Sequence, residues 1–236
     1  MNLPLVLLPG MMCDARVFSD QILALSQDHV VILAPISQDT RIETIASTLL
    51  ARLPQRFALA GLSMGGIVAM EMLRQAPDRI DRACLMGASP LPETPDMAAE
   101  REPMIVGARA GRLKDALRTA LPPEALAPGP GRAEVLAQLD VMGHDLGVDV
   151  FVRQCRALQR RRDQQATLAK CKVPTLVLCG EHDTLVPPKR HEVLAGLMPN
   201  AELKVIEGAG HIPSLEQPAQ LNAVLRGWLD GPLVLR

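Results

Sequence analysis

The chain has 236 residues, enough for one large domain, or for one that carries an insertion, burying roughly 70–75% of the surface its unfolded form exposes. Lys plus Arg number 25 against 26 Asp plus Glu, so no net field draws the chain to a polyanion or a membrane surface. Its only aromatic side chains are Phe18, Phe57, Phe151 and Trp228, too few for a base-stacking platform, and neither nucleic acid nor membrane is expected as a partner.

Met1-Asn2-Leu3-Pro4-Leu5-Val6-Leu7-Leu8-Pro9 has no basic residue before its apolar run. That run is also too short for the apolar region of a signal peptide, and it reads as a first strand. Nowhere do eighteen apolar residues follow one another, so no membrane-spanning helix is expected. Cys13, Cys84, Cys155, Cys171 and Cys179 are scattered without a C-x-x-C pair, as befits reduced thiols in a cytoplasmic protein.

Short apolar runs at 3–8, 30–33, 57–62 and 82–86 read as strands, with helices at 19–25, 42–53 and 64–75 between them. This alternation predicts βαβ units and a parallel sheet buried on both faces. It returns after residue 170, with strands at 175–179 and 202–206 and helices at 189–197 and 218–229. Between them, residues 91–165 are rich in Ala, Leu, Arg and Glu, have no β-branched run, and are broken by Pro122-Pro123 and Pro128-Gly129-Pro130-Gly131. The expected organisation is therefore an α/β core of residues 1–90 and 166–236 with a helical cap of three or four helices at 91–165. Arg160-Arg161-Arg162, at the cap's end, reads as a solvated helix face, the alternative being a site for an anionic substrate group.

Gly61-Leu62-Ser63-Met64-Gly65 lies between the strand at 57–62 and the helix that follows. A G-x-S-x-G in that context is a nucleophile elbow, whose strained turn holds the serine oxygen clear of the backbone. Side chains at Gly61 or Gly65 would collide where strand and helix approach. The alternative is a glycine-rich loop with a capping serine.

A serine hydroxyl needs a base and a carboxylate to orient that base. Of five histidines, His211 alone follows a predicted strand directly in a glycine-rich turn, Glu207-Gly208-Ala209-Gly210-His211. His29 precedes a strand, at the wrong sheet edge; His191 falls in a helix and is expected at the surface; His144 lies in the cap. For the acid, the strand at 175–179 runs into Gly180-Glu181-His182-Asp183. Asp183 is preferred to Glu181, since the glycine lets the chain present the fourth residue inward; an ordinary Asx turn is the alternative. His182 is expected to face solvent or the substrate's edge, and no metal-ligand spacing is visible.

Gly61–Gly65, Gly180-x-x-Asp183 and Gly208-Ala209-Gly210-His211 occur in the order nucleophile, acid, histidine. In this the chain resembles the α/β-hydrolase family over nearly its whole length, and in particular its small esterase-like members. The resemblance implies a mostly parallel sheet with helices on both faces, beginning at what would be the family's third strand and so holding about six strands. It implies a Ser63, Asp183 and His211 triad, and an oxyanion hole built from the N–H of Met64 and a second N–H in the loop after the first strand. Family members often carry His-Gly in that loop. This chain has Pro9-Gly10, so the second role passes to Met11, with Met12 as the runner-up. No cofactor or metal is implied. The expected activity is hydrolysis of a small or medium ester, thioester or lactone through an acyl-serine. The alternatives are a carbon–carbon bond hydrolase and a non-catalytic ligand-binding member of the fold.

Overall fold

A computed structural model describes residues 3–231 of the chain. Met1, Asn2 and residues 232–236, which the sequence reading assigns to the core, lie outside the described residues. Six strands form one sheet: β1 (Leu5–Leu8), β2 (Val31–Leu33), β3 (Phe57–Leu62), β4 (Ile80–Met86), β5 (Thr175–Gly180) and β6 (Ala201–Ile206). Their order is β2-β1-β3-β4-β5-β6, and every neighbouring pair is parallel. β1 starts two residues later than its apolar run, because Pro4 has no N–H to give to a ladder. β4 starts two residues earlier than expected, where Ile80 pairs with Phe57 across a register shift.

The helices are α1 (Ser19–Leu25), α2 (Ile42–Leu50), α3 (Met64–Gln75), α4 (Pro95–Arg109), α5 (Leu113–Ala120), α6 (Arg132–Gln159), α7 (Gln165–Leu168), α8 (Pro188–Leu197), α9 (Pro213–Glu216) and α10 (Pro218–Asp230). α2 stops three residues short of its apolar pattern, as Pro54 turns the chain away from helical geometry. α6 is broken at Gly147, whose φ of 80° no helix contains.

Strand side chains alternate between two cores. Val6, Leu8, Phe57, Leu59, Ala83, Leu85 and Val177 point to the face covered by α2, α3 and α8. Leu5, Leu7, Ala58, Ala60, Leu62, Cys84, Met86, Leu176 and Leu178 point to the other, covered by α1 and α10. A sheet covered on both faces explains why its central strands read as unbroken apolar runs. A third cluster ties the helices between β4 and β5 to the sheet: Ile105, Ala108, Ala116, Val150, Phe151 and Cys155 pack with Met12 from the loop after β1.

Because all strands run the same way, the residues just beyond β1, β3, β5 and β6 emerge along one edge of the sheet, where open α/β folds place their ligands. The β3–α3 turn there is unusually tight. A Cβ on Gly61 would stand 2.4 Å from the Gly65 carbonyl oxygen, and one on Gly65 would stand 2.2 Å from the carbonyl oxygen of Leu8. These neighbours are backbone atoms and cannot swing aside.

Gly65→Ala is therefore expected to destabilise the protein by at least about 1–3 kcal/mol, read from the midpoint of urea unfolding. Gly227→Ala, inside α10 with open space around it, is the control and should stabilise by about 0.5–1 kcal/mol.

Candidate active site

Ser63 sits between β3 and α3 with φ 53° and ψ −115°, a left-handed conformation that strains any residue with a side chain. Its N–H donates to the Met86 carbonyl at 2.7 Å, anchoring the turn to β4. From this perch Ser63 Oγ lies 2.9 Å from His211 Nε2. On the other side of the ring, His211 Nδ1 lies 2.8 Å from Asp183 Oδ2. An ionised carboxylate can only accept, so Nδ1 carries the proton and Nε2 is left free to accept from the serine hydroxyl. The Asp183 and His211 side chains are 0% and 2% exposed, which shields the pair from competing water.

Asp183 is held as firmly as the ring it orients. Its Oδ1 accepts from the backbone N–H groups of Leu185 (3.0 Å) and Val186 (2.9 Å). This is an Asx-type turn, so the alternative role foreseen for Asp183 coexists with its contact to His211: one oxygen builds the turn and the other meets the imidazole. Glu181 instead faces outward, where its Oε2 accepts from Gly208 N at 3.0 Å, and His182 is exposed beside it.

Gly10 packs against Ser63, bringing the loop after β1 alongside the serine. Met12 there has φ 53°, and its N–H donates to Gln154 Oε1 of α6 at 2.8 Å. Among the described residues the N–H groups of Met11 and Met64 have no acceptor. Cys13 also lines the cleft, but burial, aided by the nearby Asp14 carboxylate, pushes its thiol up to about 12, so it offers no thiolate. Among the described residues no group of three His, Cys, Asp or Glu is placed to hold a metal ion. Likewise, among them no helix is long and apolar enough to cross a membrane.

The cleft has about 170 Å³ of free space and lies between the sheet edge and the helices after β4. Ser63, Met64 and His211 form its floor, Met11 and Met12 one wall, and Met97, Leu117 and Leu158 line it from the helices.

His191 is fully buried instead of lying on the surface, because α8 turns His191 and Leu194 inward on one face. Burial lowers its pKa, so it stays neutral, and its Nδ1 lies 3.3 Å from the Pro187 carbonyl.

Residues 5–224 match the model of the alpha/beta hydrolase family. A protein of Pseudomonas savastanoi pv. phaseolicola named "Putative carbamate hydrolase RutD" is 27% identical, over 96% of this chain and 93% of its own length. A pimeloyl-(acyl-carrier protein) methyl ester esterase of Neisseria meningitidis is 25% identical over 84% of this chain and 79% of its own. Among solved structures, a thermophilic esterase from Thermogutta terrifontis superposes with a TM-score of 0.88 at 24% identity, over 97% of this chain and 90% of that one.

Sequence reasoning overlooked Glu216. Its Oε2 accepts from Gly210 N (2.8 Å) and Ala127 N (2.7 Å), and its Oε1 from Ile212 N (2.8 Å). One carboxylate thus clasps the backbone on both sides of His211 and ties it to the segment before α6. A second strut joins the same regions: His211 N donates to the Ala125 carbonyl at 2.7 Å. The available signal was a lone Glu five residues beyond the histidine, which composition cannot distinguish from a surface carboxylate. Glu216→Ala would orphan three backbone donors and is expected to cost about 1–3 kcal/mol in urea unfolding; Glu216→Gln, which keeps an acceptor, should cost less.

Proposed function

Since the chain belongs to the alpha/beta hydrolase family, we propose that it is a serine hydrolase of the carboxylesterase type. It cleaves a small or medium ester, thioester or lactone through an acyl-serine intermediate. The observation that carries this reading is the unbroken hydrogen-bonded line from Ser63 Oγ through both nitrogens of His211 to Asp183. A buried, oriented imidazole next to a strained serine is what general-base activation of a hydroxyl requires.

In this reading Ser63 Oγ attacks the acyl carbonyl while His211 Nε2 takes its proton. Asp183 keeps the proton on Nδ1 and stabilises the imidazolium that forms. The carbonyl oxygen becomes an oxyanion held by the N–H groups of Met64 and Met11. Met64 lies at the positive end of α3 and so adds the helix dipole. Met12 is the weaker candidate for the second donor, since its N–H already serves Gln154. The imidazolium returns its proton to the departing alcohol, thiol or lactone oxygen. Water, deprotonated by the same nitrogen, then attacks the acyl-serine and releases the acid. The methionine and leucine side chains that line the cleft favour a short aliphatic acyl chain.

The relatives named for ester and carbamate hydrolysis support acyl chemistry of this general kind. Against a ligand-binding member of the fold stands the shielding of Asp183 and His211, which a binding protein has no use for.

A fluorophosphonate probe should label the protein at Ser63, and Ser63→Ala should abolish both labelling and hydrolysis of 4-nitrophenyl esters while leaving the circular dichroism spectrum unchanged. Ester turnover equal in the variant and its parent would overturn the assignment. Asp183→Asn should lower kcat by about 10⁴-fold, by analogy with the serine proteases, because the ring then loses its fixed tautomer. Vinylogous diketones assayed beside the esters separate carbon–carbon hydrolysis from ester hydrolysis.

A further inference from the structure

Six charged side chains line the cleft: Glu93, Arg101, Arg118, Asp140, Arg161 and Arg190. Two pairs among them are closed. Arg118 donates to Asp140 at 2.6 Å, and Arg101 grips both oxygens of Glu93 at 2.5–2.9 Å. The Glu93 carboxylate is 1% exposed, so that pair is built into the wall rather than laid on the surface. Arg161 and Arg190 remain without a carboxylate of their own among the described residues. Arg190 is exposed, and solvent screens it.

Arg161, just beyond α6, is different. Its Nε is shielded from solvent and has no hydrogen-bond partner among the described residues. Other buried polar atoms share that condition, but none of them belongs to a residue lining the cleft. Burial, with the charges of Arg101 and Arg190, works against the Arg161 charge, and only Glu93 supports it. A guanidinium nevertheless keeps its proton in a protein, so the charge persists in the cleft wall. A charged donor group left without an acceptor in a partly shielded site is unfavourable for a folded chain. The cost is removed when a ligand supplies the acceptor.

Resting on the serine-hydrolase reading, we propose that the substrate carries a free carboxylate in addition to its scissile acyl bond, and that the Arg161 guanidinium receives it. The guanidinium's two Nη groups, which are not shielded as Nε is, form a fork that fits the two oxygens of a carboxylate. Beside the exposed Arg190, the unpaired excess is the one positive charge of Arg161, which matches a monoanion better than a dianion such as a phosphate. The small, apolar remainder of the cleft suits a short methylene chain between the carboxylate and the ester carbonyl. Half-esters of aliphatic dicarboxylic acids, or lactones bearing a side-chain acid, meet this description. On this account the middle arginine of Arg160-Arg161-Arg162 does not belong to a solvated face. Its neighbour Arg162 stays outside, more than half exposed, with Nε 3.6 Å from Glu43.

The test is calorimetric titration of the Ser63→Ala protein with monomethyl adipate and with dimethyl adipate, which differ in one charge. The acid is expected to bind at least about ten-fold more tightly. Arg161→Gln should erase that preference, and Arg161→Lys, which keeps the charge but not the fork, should retain part of it. Raising the salt from about 0.05 M to about 0.5 M should narrow the preference only modestly, as expected for a shielded pair. Equal affinities for the two esters, no binding of the acid, or a preference that survives in a folded Arg161→Gln protein would overturn the proposal. If Arg161→Gln does not fold, an undiminished preference in Arg161→Lys counts against it instead. Failure of the fluorophosphonate to label Ser63 would sink the hydrolase reading but leave this titration readable. A labelled serine without acid preference would sink only the carboxylate site.

Discussion

The left-handed turn at Ser63 governs the rest of the molecule. Holding a serine at φ 53° costs of order 1–3 kcal/mol, and the chain sustains it because the alternatives are blocked on every side. Gly61 and Gly65 let β3, α3 and the end of β1 close to distances that exclude a methyl group. The Ser63 N–H is tied to β4, and two apolar cores grip the strand from above and below. Relaxing the turn would mean moving β3 and α3 apart and opening those cores. Strain at one residue is thus set against the packing of the whole sheet.

That turn would be idle without a partner of equal precision. His211 and Asp183 lie on loops, which are mobile unless tied. Here both are tied by backbone hydrogen bonds. Asp183 accepts from the chain just after it, Glu216 accepts from either side of His211, and the Ala125 carbonyl takes the His211 N–H. The supporting groups are carboxylates and carbonyls at 2.7–3.0 Å from buried or half-buried donors. The last two ties also reach the segment before α6, so the histidine loop is fastened to the chain that leads into the helices over the cleft. A change in those helices should be felt at the imidazole.

Charge in the cleft follows a different logic from charge on the surface. The chain is nearly neutral, and the segment from 91 to 165 is balanced in its acidic and basic residues. Yet the cleft wall carries an excess of positive charge, because pairing closes the carboxylates of Glu93 and Asp140 and leaves Arg161 and the exposed Arg190 over. Net charge, summed along a sequence, is blind to such local excess.

Local chemistry made much of the protein legible without coordinates. Unbroken apolar runs marked the central strands β1, β3 and β5, since a strand covered on both faces has no polar side to break its pattern. By contrast, β6 at the sheet's edge carries Glu202 and Lys204 among its apolar residues. The serine, aspartate and histidine stood out because each follows a strand within a short glycine-bearing turn, and parallel strands bring such turns to one edge. What pairs with what across the chain was decided only by the tertiary fold. The Met12 N–H is taken by a glutamine 142 positions away, His191 is drawn inward by the packing of α8, and Glu216 reaches back to Gly210 and across to Ala127. Arg161 likewise meets the cleft only because the helices after β4 fold over the sheet edge. Each of these depends on contacts between residues that sequence spacing does not relate, so no periodicity or motif encodes them.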